Sequence, residues 1–137
     1  MCNKQEMDAC FELAIKMKLA QQKDYAEIYK LACAKDYAPA CRELAYTVET
    51  AEAKKLFDKA CALQDAPACI EAIKISCAEH DTSKALSYFD KALITMLITP
   101  NMFSEDKSME CLVQDTRYKN WAVEFAWLDQ DNGVSLR

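Results

Sequence analysis

Apolar residues along the first hundred positions recur at the three- and four-residue spacing of amphipathic α-helices. In the middle of this stretch the pattern predicts one helix over about residues 39–48 and a second over about 51–63. Pro39 suits the first turn of the first helix, where its missing N–H costs nothing. Because only Glu49 and Thr50 link the two helices, we expect them to pack antiparallel.

The same pair of helices is predicted before and after this unit. The first unit covers about residues 8–20 and 25–34, and the third covers about 67–79 and 83–97. Local sequence repeats as well, since Ala9–Leu13 aligns with Ala40–Leu44. The period of about 28 to 32 residues is typical of stacked helix pairs. We therefore predict an all-α protein in which residues 1–99 form a short α/α solenoid of about three helix pairs.

Cysteine spacing adds a covalent prediction to this pattern. Three successive pairs share the spacing C-x7-C, which puts one cysteine near the end of a helix pair and the next in the first turn of the following pair. Across such a tight antiparallel connection the Cα atoms can approach within the roughly 4.4–6.8 Å that a disulfide requires. The predicted bridges are Cys2–Cys10, Cys33–Cys41 and Cys61–Cys69.

Two further cysteines, Cys77 and Cys111, remain for a fourth bridge. Cys69 and Cys77 share the same spacing but fall on one predicted helix, about 12 Å apart along its axis, so we pair Cys77 with Cys111 instead. Disulfides imply an oxidising compartment, and we expect a periplasmic or secreted protein. Two alternatives stay open: lipid attachment at Cys2, and free thiols in a cytosolic protein.

Composition narrows the function classes. The chain has 137 residues, a net charge of −5 and a single glycine. An acidic chain offers little attraction to nucleic acid, and no apolar stretch approaches the roughly 20 residues of a transmembrane helix. The single glycine argues against a nucleotide-binding glycine loop. The first residues are polar and do not form a secretory signal, so an exported protein would be represented here in its mature form.

The chain after Pro100 does not repeat, and we expect residues 100–137 to cap the stack within the same globular unit. A helix is predicted over Ser104–Val113, with Ser104 as its N-cap. Residues 121–128 fit a strand or a helix, and we favour a helix because a helical stack offers no sheet to join. Asp129–Gly133 lacks the spacing of a calcium loop and predicts a turn with Gly133 at positive φ.

No residue set predicts catalysis, a cofactor or a metal. His80 is the only histidine, and it lies in a polar loop between Glu79 and Asp81 with no predictable nucleophile. The cysteines lack the short doublets of zinc sites. We therefore expect a non-enzymatic protein.

The repeated motifs resemble those of the Sel-one-like repeat family, and within it the helicobacter cysteine-rich protein type. In that group a helix pair ends in K-A-C and the next begins seven residues later with A-C-x-x-L. The resemblance covers about residues 2–97, with shorter repeats than the family's. The matching residues are Lys59-Ala60-Cys61, Ala40-Cys41-Arg42-Glu43-Leu44 and Ala68-Cys69, with Tyr29 and Phe57 at the aromatic position.

The resemblance implies an exported, disulfide-linked protein-binding scaffold. Its sharpest version is an immunity-type protein that binds and neutralises a toxic effector. Alternatives are a β-lactam or peptidoglycan-fragment binding protein with weak hydrolase activity, and a cytosolic helical adaptor. Helical phase selects four candidate partner-binding residues on the first helices of the pairs, and the aromatic stretch after Pro100 adds two possible anchors. The candidates are Arg42, Tyr46, Glu71, Lys74, Trp121 and Trp127.

Overall fold

The computed structural model describes residues 6–21 and 24–134, with side chains described through Leu128. These residues form helices and loops, with no strand among them. Six helices cover the predicted repeats: α1 (Met7–Leu19), α2 (Tyr25–Ala34), α3 (Ala38–Ala45), α4 (Thr50–Ala62), α5 (Ala66–Ala78) and α6 (Thr82–Thr95). The rest of the described chain forms α7 (Asn101–Ser104), a 3-10 turn (Lys107–Met109), α8 (Glu110–Val113) and α9 (Thr116–Val134).

Each helix from α1 to α6 packs against the next one along the chain. The predicted all-α stack of helix pairs is therefore confirmed. The largest difference in the middle unit is the end of α3, which stops at Ala45 rather than at residue 48. The hydroxyl of Thr47 donates to the Leu44 carbonyl at 2.7 Å. A side chain therefore binds a carbonyl that a backbone N–H would accept from if the helix continued.

Five of the described helices, α1, α2, α4, α5 and α6, are followed by a residue other than glycine at positive φ. Asp36, Gln64 and His80 follow α2, α4 and α5 at φ of 64°, 70° and 58°. After α4, the Gln64 N–H donates to Cys61 O at 2.9 Å and the Asp65 N–H donates to Ala60 O at 3.0 Å, which are the two bonds of a Schellman motif. The chain thus reverses direction at residues that pay a steric penalty for positive φ.

The core of the stack repeats one aromatic position and several small ones. Tyr29, Phe57 and Phe89 are buried at equivalent places in α2, α4 and α6. Ala60 and Ala92 are fully buried, and such small side chains let neighbouring helices approach closely.

Polar contacts join the second helices of successive units. Lys59 Nζ in α4 donates to the Cys33 carbonyl in α2 at 2.8 Å. The Tyr88 hydroxyl in α6 donates to an Asp58 carboxylate oxygen in α4 at 2.8 Å. The stack is therefore tied together by hydrogen bonds as well as by apolar packing.

Disulfides form at three of the four predicted places. Cys33–Cys41 and Cys61–Cys69 each have Cα atoms 4.6 Å apart, and Cys77–Cys111 has Cα atoms 5.5 Å apart. The predicted Cys2–Cys10 bridge involves Cys2, which lies outside the described residues. No described cysteine is free. Bonds of this kind persist in oxidising compartments.

The chain from residue 100 to 113 differs from the prediction of one helix over Ser104–Val113. Ser104 ends α7 instead of capping a helix, and the 3-10 turn begins after Asp106, whose carboxylate accepts the Ser108 N–H at 2.9 Å. Phe103 and Leu112 are fully buried. Both side chains can be buried only if the chain bends between them. One straight helix would not bend, so the predicted helix does not form.

Residues 121–128 lie in α9, so the helix that we favoured for this ambiguous pattern is confirmed. Trp121 packs at 5.1 Å, between ring centroids, against Phe89 of the stack. The predicted turn at Gly133 is wrong, because α9 continues through Val134 and no described glycine has positive φ. Among the described helices, none combines the length and apolar character needed to cross a membrane.

Candidate partner-binding groove

An apolar groove of about 300 Å³ lies where the stack meets the chain that follows it. Its lining comes from the end of α3, the first turns of α5 and the segment after α6. The lining residues are Tyr46, Ala66, Pro67, Ile70, Glu71, Leu97 and Met102. Glu71 is the one charged side chain in this lining.

Local sequence explains how each wall is placed. Pro67 lies in the first turn of α5, and the N-cap residue Asp65 accepts the Ala68 N–H at 3.1 Å. Met96 ends α6 in the left-handed conformation, at φ 58° and ψ 19°. This turn directs the chain toward Ile98 and Phe103, which are buried, while Leu97, just before Ile98, stays 67% exposed.

The first ion-pair cluster at the groove joins α3 to α5. Arg42 Nη1 lies 3.0 and 3.1 Å from the two carboxylate oxygens of Asp65, and Arg42 Nε lies 3.4 Å from Glu43. The Arg42 and Asp65 side chains are 20% and 9% exposed, so this pair is largely shielded from water. Lys18 of α1 approaches Glu43 at 3.9 Å. Arg42 therefore links two repeats in addition to lying near the groove.

The second cluster joins α5 to the C-terminal chain. Lys74 Nζ lies 3.2 Å from Glu71 and 3.3 Å from Asp106. Partial burial acts to lower the pKa of Lys74, but the two carboxylates outweigh it and the pKa is raised. Hydrogen bonds from Ser108 and from Lys74 lower the pKa of Asp106. Both groups are therefore held in their charged forms.

Tyr46 lies in the electrostatic field of both clusters. Burial raises the pKa of the Tyr46 phenol, and the negative charges of Glu71 and Glu43 raise it further against the opposing effect of Arg42 and Lys74. The hydroxyl consequently remains protonated near neutral pH and can donate a hydrogen bond. The groove thus combines an apolar floor, one phenol and a charged rim, which is suited to binding rather than to nucleophilic chemistry.

Four of the six predicted partner-binding residues, Arg42, Tyr46, Glu71 and Lys74, come together around this groove. Trp121 and Trp127 lie elsewhere, on α9. Trp121 contacts Phe89, Phe103, Tyr118 and Phe125 and closes the end of the core. Trp127 is 66% exposed. A binding role for any of these side chains stays a prediction.

Sequence reasoning missed the apolar half of the groove: Ile70, Leu97 and Met102. Ile70 is one apolar residue among many on α5, and nothing in the pattern distinguishes it from the core. Leu97 was included in the predicted helix over 83–97, whose actual end at Thr95 is what exposes it. The left-handed Met96 carries no sequence signal, since methionine rarely adopts that conformation.

No protein-family model, no curated protein and no solved structure matches this chain. Among the described residues, no three histidine, cysteine, aspartate or glutamate side chains lie together in a way that could hold a metal ion. The interpretation of the groove therefore depends on its own geometry.

Proposed function

We propose that this protein is a non-enzymatic protein-binding module of an oxidising compartment, the periplasm or the exterior of the cell, and that it binds its partner at the groove. The observation that carries the proposal is that three exposed apolar side chains, Tyr46, Leu97 and Met102, line one cavity together. Apolar surface rimmed by charged groups marks interaction sites in proteins.

The disulfides support the compartment. Two of them, Cys33–Cys41 and Cys61–Cys69, are buried, and each fastens one helix pair to the next. Counting thiols in protein purified without reductant and then unfolded tests this point. We expect no more than two free thiols; eight would favour the cytosolic adaptor and remove the argument for export.

A more specific proposal is an immunity-type protein that neutralises a toxic effector. Its support is the resemblance to Sel-one-like repeats of the helicobacter cysteine-rich type, together with the acidic net charge of −5. Complementary charge would speed association with a cationic partner more than it would deepen affinity. The segments that carry the resemblance, Ala40–Leu44 and Lys59–Cys61, are the ones that fasten the helix pairs.

The test uses two matched substitutions. Leu97→Asp puts a charge into the groove, whereas Leu31→Asp puts the same charge on α2, where Leu31 is 49% exposed and does not line the groove. Immobilised wild-type and variant proteins are incubated with an envelope extract of the native host, and retained proteins are identified. We expect a partner that the wild type and Leu31→Asp retain and that Leu97→Asp loses.

The retained partner is then produced alone in the envelope of a test strain. An immunity role predicts growth arrest, relieved by co-production of the wild type or Leu31→Asp but not of Leu97→Asp. If the partner causes no growth arrest, the immunity role is refuted, but the proposal of a binding module stands. Equal retention by both variants would place binding elsewhere and refute the groove.

A further inference from the structure

The charges at the groove are arranged unevenly. Three basic side chains, Lys18, Arg42 and Lys74, each lie within 4.0 Å of at least one carboxylate. Arg42 and Lys74 each contact two carboxylates. An acidic partner would therefore have to break existing ion pairs to find a cation here.

Carboxylates are in excess at the same rim. Four carboxylates take part in these ion pairs, against three basic groups. They are Glu43, Asp65, Glu71 and Asp106. Glu71 lies nearest the apolar floor, because it is itself a lining residue. Charges in a partly shielded cleft act more strongly than on an open surface, since less water screens them.

The charges that act on the Tyr46 phenol also favour a cationic partner. Burial is the largest cause of the raised pKa of this phenol, and the negative charges of Glu71 and Glu43 raise that pKa further, against the smaller opposing effects of Arg42 and Lys74. A neutral hydroxyl beside a negative field is a suitable contact for a cationic side chain that crosses the apolar floor.

The apolar wall has a shape that selects a side chain rather than a whole folded surface. The cavity of about 300 Å³ lies at the lower end of the roughly 300–1,000 Å³ range of ligand pockets. Leu97 lies in the irregular chain after α6 and Met102 lies in the short helix α7, and methionine adapts its shape to different apolar groups. Ile94 and Met96, just before Leu97 in the chain, are also exposed.

From these observations we propose that the groove takes an amphipathic, basic segment of its protein partner, with one or two large apolar side chains on Tyr46, Ile70 and Leu97 and with flanking lysine or arginine beside Glu71. This proposal depends on the proposed function and specifies the chemistry of the partner. A partner helix would present such anchors at positions i, i+3, i+4 and i+7.

Three fluorescein-labelled synthetic peptides test the proposal with the intact, oxidised protein. The first has leucine and tryptophan at i, i+3, i+4 and i+7 and lysine elsewhere. The second replaces every lysine with glutamate, and the third replaces every apolar residue with serine. Fluorescence anisotropy should show the first peptide binding about tenfold more tightly than either of the others, because each lacks one half of the complementarity.

Matched variants place this binding at the groove. Leu97→Ser should weaken the lysine peptide about tenfold, while Leu31→Ser leaves it unchanged. Glu71→Gln should weaken it about threefold. Glu52→Gln is the control, since Glu52 pairs with Lys55 three residues on just as Glu71 pairs with Lys74, but Glu52 does not line the groove.

The outcomes separate this proposal from the proposed function. Equal binding of the lysine and glutamate peptides, or equal effects of Glu71→Gln and Glu52→Gln, overturns the basic segment; if the native partner is still lost on Leu97→Asp, the binding module stands. Sedimentation with phosphatidylcholine vesicles that Leu97→Ser abolishes would instead identify a lipid surface and overturn the proposal.

Discussion

The repeat stack and the chain after Pro100 are held together in different ways. In the stack, each helix packs on its neighbour in sequence, and each helix-pair disulfide spans only 8 residues. The later chain forms two short helices, a 3-10 turn and the 19-residue α9, and it is joined to the stack by one disulfide spanning 34 residues and by aromatic contacts around Phe89. Local contacts repeat along the chain, so the sequence pattern predicts them. The contacts that form the groove join segments that lie far apart in sequence, so no local pattern predicts them.

The largest expected effect comes from removing the long-range disulfide. Cys77→Ala/Cys111→Ala should lower the free energy of unfolding by about 4 kcal/mol, against about 2.5 kcal/mol for Cys61→Ala/Cys69→Ala, because loop-closure entropy grows with loop length. Urea denaturation of the two double variants measures the difference. The reverse order would show that packing of the buried Cys61–Cys69 pair outweighs chain entropy.

Two ion pairs offer a smaller test of the same contrast. Arg42→Met should destabilise the protein by about 2 kcal/mol, because it strands the largely buried Asp65 without its cation. Lys74→Met should cost at most about 1 kcal/mol, since the Lys74 and Asp106 side chains are 31% and 38% exposed. Thermal unfolding at low ionic strength measures both, and equal losses would contradict the assigned difference in shielding.

Removing the hydroxyl group from Tyr118 and from Tyr29 should change the stability of the protein in opposite directions. The hydroxyl of Tyr118 donates to the Pro100 carbonyl at 3.0 Å, so Tyr118→Phe should destabilise the C-terminal chain by about 1 kcal/mol. The buried hydroxyl of Tyr29 has no hydrogen-bond partner among the described residues, so Tyr29→Phe should stabilise the stack by about 1 kcal/mol. Chemical denaturation of the two variants decides, and destabilisation by Tyr29→Phe would reveal a partner for that hydroxyl.

The smallest expected effect concerns the left-handed helix ends. Gln64→Gly and Met96→Gly should each stabilise the protein by about 0.5 kcal/mol, because glycine removes the steric cost of positive φ but loses more entropy on folding. Differential scanning calorimetry measures the shift in Tm, with Ala62→Gly in the last turn of α4 as a control that should destabilise. A lower Tm for Gln64→Gly would mean that its side chain contributes more than its backbone costs.

Sequence alone determined the six helices of the stack and the disulfides Cys33–Cys41, Cys61–Cys69 and Cys77–Cys111. These features follow from contacts between residues close in the chain, or from a covalent partner that elimination could find, and such contacts leave a periodic trace. The sequence also placed Arg42, Tyr46, Glu71 and Lys74 on one side of the stack, because helical phase is local.

Tertiary structure alone decided where the groove lies. It ended α6 at Thr95, turned the chain at Met96 and bent residues 100–113 so that Phe103 and Leu112 are both buried. The exposure of Leu97 is a consequence of those long-range choices. Burial of two distant anchors outweighs local helix propensity, and no pattern within a few residues records which side chain is left outside.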